Sequence, residues 1–294
     1  MNEGFTYTEL IPPQAAGRPV LAYLTGQYRH STAAEWEARL QAGLVRLDGR
    51  PAQAGDPLGS GQCLSWSRPP WEEPEAPLAW AVLHLDEALL AVAKPSGLPT
   101  LPGGGFLNHT LLKLVQRRFP EANPIHRLGR GTSGVVLFAR NEAAAKHLSG
   151  SLQLHQMEKV YRALVLGHPP EDAFEVTVPI GPIPHPGLGT VHGASPQGKR
   201  ARTLVRVLER REGTSLVEVR IETGRPHQIR IHMAASGHPL WGDPLYASGG
   251  GLSGDGRALP GDLGYLLHAL RVTLPHPRTG EPITLRCQPP PLLR

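Results

Sequence analysis

The chain sets short apolar runs between clusters of glycine, proline and charge, and the spacing of those runs changes along its length. Residues 1–15 show no period and contain Pro12-Pro13, so they read as an arm. Ala33, Trp36 and Leu40 recur at helical spacing, with Glu35, Glu37 and Arg39 on the opposite side. Ser31 is the expected N-cap and Gly43 the stop. The stretch 44–49 then alternates and turns at Asp48-Gly49, a hairpin signal. Residues 67–77 are rich in proline and acid and predict a stiff linker.

Beyond that linker, 82–94 reads as two short strands about an acidic turn, ended by Pro95 and Gly97. The spacing predicts a helix over 110–118 with a basic end, a buried strand over 135–139 and a helix over 141–154 capped by Asn141. A strand follows over 158–167, with Lys159, Tyr161 and Ala163 on one face. Short strands and loops fill 168–195, and 204–208 is a strand. The run 216–233 reads as one long strand, with Gln228, Arg230 and His232 on one face and His227, Ile229 and Ile231 on the other. A glycine-rich stretch, 247–264, reads as an exposed loop before a closing hairpin over 266–285.

At 294 residues and 40% hydrophobic, the chain suits one large globular domain or two unequal ones. No apolar run is long enough for a membrane helix, and the first residues lack the features of a secretory signal. The expectation is a cytoplasmic monomer whose Cys63 and Cys287 are reduced thiols. The formal net charge of +5 favours a polyanionic partner. The densest positive spot is Lys199, Arg200 and Arg202. His227 and His232 fall on opposite strand faces in this reading, which argues against a metal pair, and no metal or cofactor is expected.

One stretch concentrates candidate chemistry: His126-Arg-Leu-Gly-Arg-Gly-Thr-Ser-Gly134. Three glycines, 129, 131 and 134, admit backbone conformations that other residues resist. Arg127 and Arg130 add planar charged forks suited to phosphate. The stretch resembles the central motif of the RluA-type RNA pseudouridine synthases, His-Arg-Leu-Asp-Arg-x-Thr-Ser-Gly. Seven of its eight specified positions match, and the eighth, the family's catalytic Asp, is Gly129. Three further runs resemble family motifs in the same order: Lys94-Pro-x-Gly97, Lys159-x-Tyr161-x-Ala163 and Thr223-Gly-Arg225-x-His227-Gln-Ile-Arg230-x-His232. The helix and hairpin over 31–56 resemble an S4-type RNA-binding module, a role that needs Arg29, Arg39, Arg46 and Arg50 on one face.

The resemblance implies an α+β fold, with a mixed, mainly antiparallel sheet, flanking helices and a central cleft. It implies three parts: an arm and S4-like module over 1–66, a linker over 67–77 and a synthase-like domain over 78–294. The implied reaction is isomerisation of uridine to pseudouridine in ribosomal or transfer RNA, with no cofactor and no membrane partner. Tyr161 would stack on the target base, and Arg230 would pair with the catalytic carboxylate. Lys94, Arg127, Arg130, Lys199, Arg200, Arg202, Arg225 and His227 would contact RNA. Because Gly129 has no side chain, Arg230 is expected to pair with Asp243 or Glu222, to hold an anion, or to face water. Those two acids are also the candidate replacement carboxylates, with Asp243 first. The alternative is a catalytically inactive, RNA-binding relative.

Overall fold

The computed structural model describes residues 1–28, 30–254 and 256–294. The chain divides into two compact units, Met1–Glu73 and Pro74–Arg294.

In the first unit a four-stranded antiparallel sheet carries two helices. Its elements are β1 (Phe5–Leu10), α1 (Val20–Gln27), α2 (Ala33–Gln41), β2 (Val45–Leu47), β3 (Arg50–Pro51) and β4 (Cys63–Arg68), in sheet order β1-β4-β2-β3. The expected arm is therefore corrected, because Phe5–Leu10 pairs along all of β4. Phe5 and Tyr7 are exposed, so this strand has no buried alternation for a periodicity reading to find. The N-cap of α2 is Thr32 rather than Ser31. Thr32 and Glu35 form a reciprocal capping box, while the Ser31 hydroxyl accepts from Arg39 Nη1 at 2.8 Å. The Asp48-Gly49 turn has both residues at positive φ, as a tight hairpin of this hand requires.

Two of the four arginines expected to gather for RNA are engaged locally. Arg39 lies over the rings of Trp36 and Trp66, at 4.5 and 4.7 Å, and Arg46 donates to the Gly49 carbonyl. Arg29 lies outside the described residues.

The second unit is built on a ten-stranded sheet. Its first half comprises β5 (Ala81–Leu85), β6 (Leu89–Lys94), α3 (Leu111–Gln116), β7 (Asn123–Pro124), β8 (Ser133–Ala139), α4 (Glu142–Gln153) and β9 (Glu158–Leu166). Its second half comprises β10 (Ala173–Val176), β11 (Ile180–His185), β12 (Gly189–Ala194), β13 (Thr203–Arg211), β14 (Thr214–Ile221), α5 (Gln228–Ala235), β15 (Leu267–Pro275) and β16 (Pro282–Arg286). The sheet order is β10-β13-β14-β9-β15-β8-β6-β5, with β16 on β15 and β7 on β8, while β11 and β12 form a separate ribbon. Every pairing is antiparallel except β15 with β8. The fold is thus α+β with a mixed, mainly antiparallel sheet.

Strands β6 and β8 are buried on both faces, which explains their unbroken apolar runs. Leu90, Val92, Val136 and Phe138 join the core under α3 and α5, while Leu89, Ala91, Val135 and Leu137 join the core under α4.

The long strand expected over 216–233 is corrected. β14 stops at Ile221, and Gln228–Ala235 is a helix. Pro226 supplies no backbone donor, and His227, at φ 55°, turns the chain into α5. Residues 228–234 are all buried, so their apolar pattern fits a strand and a helix equally well.

Candidate active site

The loop 126–132 is fixed from below. Lys94, 2% exposed, donates from Nζ to the carbonyls of Pro95, Leu98 and Arg130, at 2.9, 2.6 and 3.2 Å. Ser96 Oγ donates to the Gly131 carbonyl and Thr100 Oγ1 to that of Leu128. Burial pulls the Lys94 amine down to about 7. The phosphate contact expected of Lys94 is therefore corrected: its ammonium is a buried staple of the loop. Arg130 Nε donates to the Gly97 carbonyl and its guanidinium lies 4.8 Å from the Phe106 ring centre, while Arg127 is exposed.

The three loop glycines serve two purposes. Gly134 alone is at positive φ, 113°, and a Cβ there would lie 2.2 Å from the Ala269 carbonyl, where β15 crosses β8. Gly129 and Gly131 make room for one ring. A Cβ on Gly131 would meet Tyr265 Cζ at 2.9 Å, and one on Gly129 would meet Tyr265 Oη at 3.0 Å.

Arg230, on α5, pairs with Asp243 at two points, Nε to Oδ2 and Nη2 to Oδ1, each 2.7 Å. Both side chains are buried, 2% and 0% exposed. Nη1 donates to the Pro260 carbonyl at 3.1 Å. Burial pulls the guanidinium pKa down, but the bonds to Asp243 outweigh that and raise it. Asp243 Oδ1 also accepts the backbone N–H groups of Leu245 and Tyr246. Four donors thus converge on this carboxylate, and of the two acids expected as the partner of Arg230 it is Asp243 that makes the pair. Glu222 is not near this pair in its bonding: it accepts from Arg202 at 2.9 Å and lies 3.7 Å from Arg220. Two rings flank the Arg230 guanidinium, Tyr265 at 4.2 Å and Tyr246 at 5.1 Å.

His227 Nδ1 lies 2.8 Å from the Tyr246 hydroxyl, which itself donates to the His192 carbonyl at 2.7 Å. The Tyr246 proton is therefore committed, and Nδ1–H is the donor, leaving Nε2 as an acceptor. Burial, then the nearby Arg230, pulls His227 down to about 3, so the ring is neutral. His126 is likewise pulled down to about 4 by burial and by Lys159, and its Nε2 accepts the Leu137 N–H.

Tyr161 is 8% exposed, in the same core cluster as Leu128, Ile221 and Tyr265, and burial pushes its hydroxyl up to about 12. Lys199 and Arg200 are exposed. Arg202 is bound to both Glu175 and Glu222, in exposed ion pairs. Arg225, half-buried, donates to the Arg200 carbonyl. Arg200, Arg202, Arg220 and Glu222 line a cavity of about 830 Å³ whose wall includes none of Gly129, Arg230, Asp243 or Tyr265.

Sequence reasoning missed Tyr265 and Tyr246. Both flank a glycine-rich loop with no period, and only their placement over Arg230 marks them. It also missed His84, Asp86 and His276, the one set among the described residues with metal-ligand spacing. There, Asp86 Oδ2 lies 2.6 Å from His84 Nε2 and 2.9 Å from His276 Nε2. His276 Nδ1 accepts two backbone N–H groups, which puts its proton on Nε2 and makes this a hydrogen-bonded clasp between two hairpin turns.

A family model described as RNA pseudouridylate synthase matches residues 88–235, the span that carries the loop, Tyr161 and Arg230. The chain belongs to that family. An uncharacterised RNA pseudouridine synthase of Synechocystis is 42% identical, over 93% of this chain and 95% of its own length. RNA pseudouridine synthase 5 of Arabidopsis thaliana is 37% identical over all of this chain and 95% of its own length. Ribosomal large subunit pseudouridine synthase D of Neisseria meningitidis is 34% identical over 95% of this chain and 78% of its own. Among solved structures, human RNA pseudouridylate synthase domain containing 1 superposes with a TM-score of 0.57 at 27% identity, covering 76% of this chain and 89% of that one. Membership of the RluA-type family is thus shown by relatives that cover nearly the whole chain, and the synthase fold by a solved structure that covers 76% of it.

Proposed function

We propose that this chain is an RNA pseudouridine synthase, isomerising uridine in structured RNA by breaking the bond from N1 to the ribose and rejoining the sugar at C5. The observation that carries this reading is the similarity to pseudouridine synthases over nearly the whole chain, in which Arg230 and Tyr161 are both buried. The reaction is an isomerisation and calls for no cofactor. The target base has to leave its stack before its sugar bond can be reached. Arg127, Lys199 and Arg200 are the exposed cations for its flanking phosphates, with the half-buried Arg130 and Arg225 beside them in the role and His227 as a neutral RNA contact. Tyr161 is the ring on which the target base would stack. The name of the Neisseria relative favours ribosomal over transfer RNA. The reading is of a cytoplasmic monomer, and the Met1–Glu73 unit is an accessory RNA contact.

Pseudouridine mapping of total RNA, from strains with and without the protein, tests this. The expected result is a defined uridine left unmodified in the strain that lacks it and modified again on complementation. Identical maps would instead favour a non-catalytic RNA binder.

A further inference from the structure

Gly129 leaves the loop without a carboxylate, yet the space its side chain would fill is occupied. An ideal Cβ there would lie 3.0 Å from Tyr265 Oη and 3.5 Å from Thr132 Oγ1, with no other described atom within 4 Å outside its chain neighbours. Gly129 is not in the left-handed backbone region, so a side chain there would carry no backbone strain. The two hydroxyls lie 3.3 Å apart. Tyr265 is held firmly. Gly264, just before it, is packed so closely on Gly242 that a Cβ would fall 2.4 Å from the Gly242 carbonyl oxygen. Gly131 yields to the ring, and the Arg230 guanidinium lies over the ring face at 4.2 Å. That guanidinium is aimed by Asp243, and a cation on the ring face holds the ring in place.

We propose that the Tyr265 hydroxyl is the catalytic nucleophile of this enzyme, acting from the place that a carboxylate on residue 129 would take. The proposal rests on the pseudouridine synthase reading. Tyrosine forms covalent intermediates at sugar carbons in other enzymes. Here the phenolic oxygen bonds to C1′ as the C1′–N1 bond breaks, and the phenolic proton passes to N1. The freed uracil turns, and its C5 attacks C1′ as the C1′–O bond to Tyr265 breaks. The phenolate then takes the proton from C5. The proton lent to N1 is thus returned from C5, and no oxidant, reductant or co-reactant enters. Arg230 is a positioning residue, acting through the ring.

The test compares pseudouridine formation by wild type, Tyr265→Phe and the double variant Gly129→Asp/Tyr265→Phe, on RNA from a strain lacking the protein. Removing the hydroxyl also removes the atom nearest a Cβ on residue 129, so the double variant has room for a carboxylate there. The expected result is turnover by wild type, a loss of at least about 10³-fold in Tyr265→Phe with RNA affinity kept, and partial recovery in the double variant. A merely structural Tyr265 would not give that recovery, because the double variant also lacks the hydroxyl. Active wild type with Tyr265→Phe within about threefold of it overturns the proposal alone. Silence from wild type overturns the synthase reading and this proposal together.

Discussion

Arg230 and Asp243 form a closed two-point pair, with both bonds at 2.7 Å and both side chains essentially without solvent. The pair is neutral as a unit, so the cleft keeps its arginine without a loop aspartate to balance it. It also fixes α5 against the 243–246 turn, because the same carboxylate accepts two backbone N–H groups there.

Breaking the pair from one side strands a buried charge. Asp243→Ala is expected to destabilise the fold by about 3–5 kcal/mol, and Asp243→Asn by less, because the amide oxygen still accepts. Urea unfolding of the two variants checks this. Equal stability of Asp243→Ala and wild type would mean that water or another acceptor takes up the guanidinium.

Lys94 is expected to matter for the loop rather than for RNA. Lys94→Met leaves three carbonyls short of a donor and should destabilise by about 2–3 kcal/mol. It should also speed hydrogen exchange at Gly97 and Thr132, whose N–H groups bond to the Arg130 and Gly129 carbonyls. RNA affinity that falls while exchange stays slow would return Lys94 to a phosphate role.

Much of this was legible in the sequence, and the gaps have physical causes. The β5–β6 hairpin, α4 with its Asn141 cap and the 126–134 loop were all readable because turn residues and half-buried periods mark them. The helix α5 was misread because seven buried residues in a row carry no period. β1 was missed because its strand is largely exposed. In the site, Arg230 stood out by its motif, but its partner did not, since two acids were available and only folding brings Asp243 to it. Tyr265 was invisible: nothing in its neighbours foretells that it faces Gly129.

Acid should weaken the fold through neutral histidines. His126 and His227 are held down to about 4 and about 3, first by burial, against an ordinary value of 6.5. Their folded forms refuse a proton that the unfolded chain accepts below pH 6.5. The stability they lend is complete above that pH and is lost as pH falls toward 4. Two such groups give a slope approaching about 2.7 kcal/mol per pH unit in that window. Thermal melts from pH 7 to 4, with His227→Gln as the control, measure it. A flat Tm across the window would place both rings in contact with water.

The basic patch should divide into one useful cation and one silent one. Arg200→Ala is expected to reduce the salt slope of RNA binding by about one, because an exposed arginine releases a counterion on meeting phosphate. Arg202→Ala should leave the slope unchanged, since Glu175 and Glu222 already hold that guanidinium. Equal effects of the two substitutions, read from binding at several salt concentrations, would show that the two bridges open when RNA docks.

The central claim is that this chain makes pseudouridine with glycine at position 129. The most direct measurement is the pseudouridine content of RNA from a strain lacking the protein, before and after incubation with purified wild type. The account predicts one new pseudouridine per target molecule, formed with no added metal or cofactor. RNA that is bound but unchanged, at enzyme in excess and over hours, would contradict it.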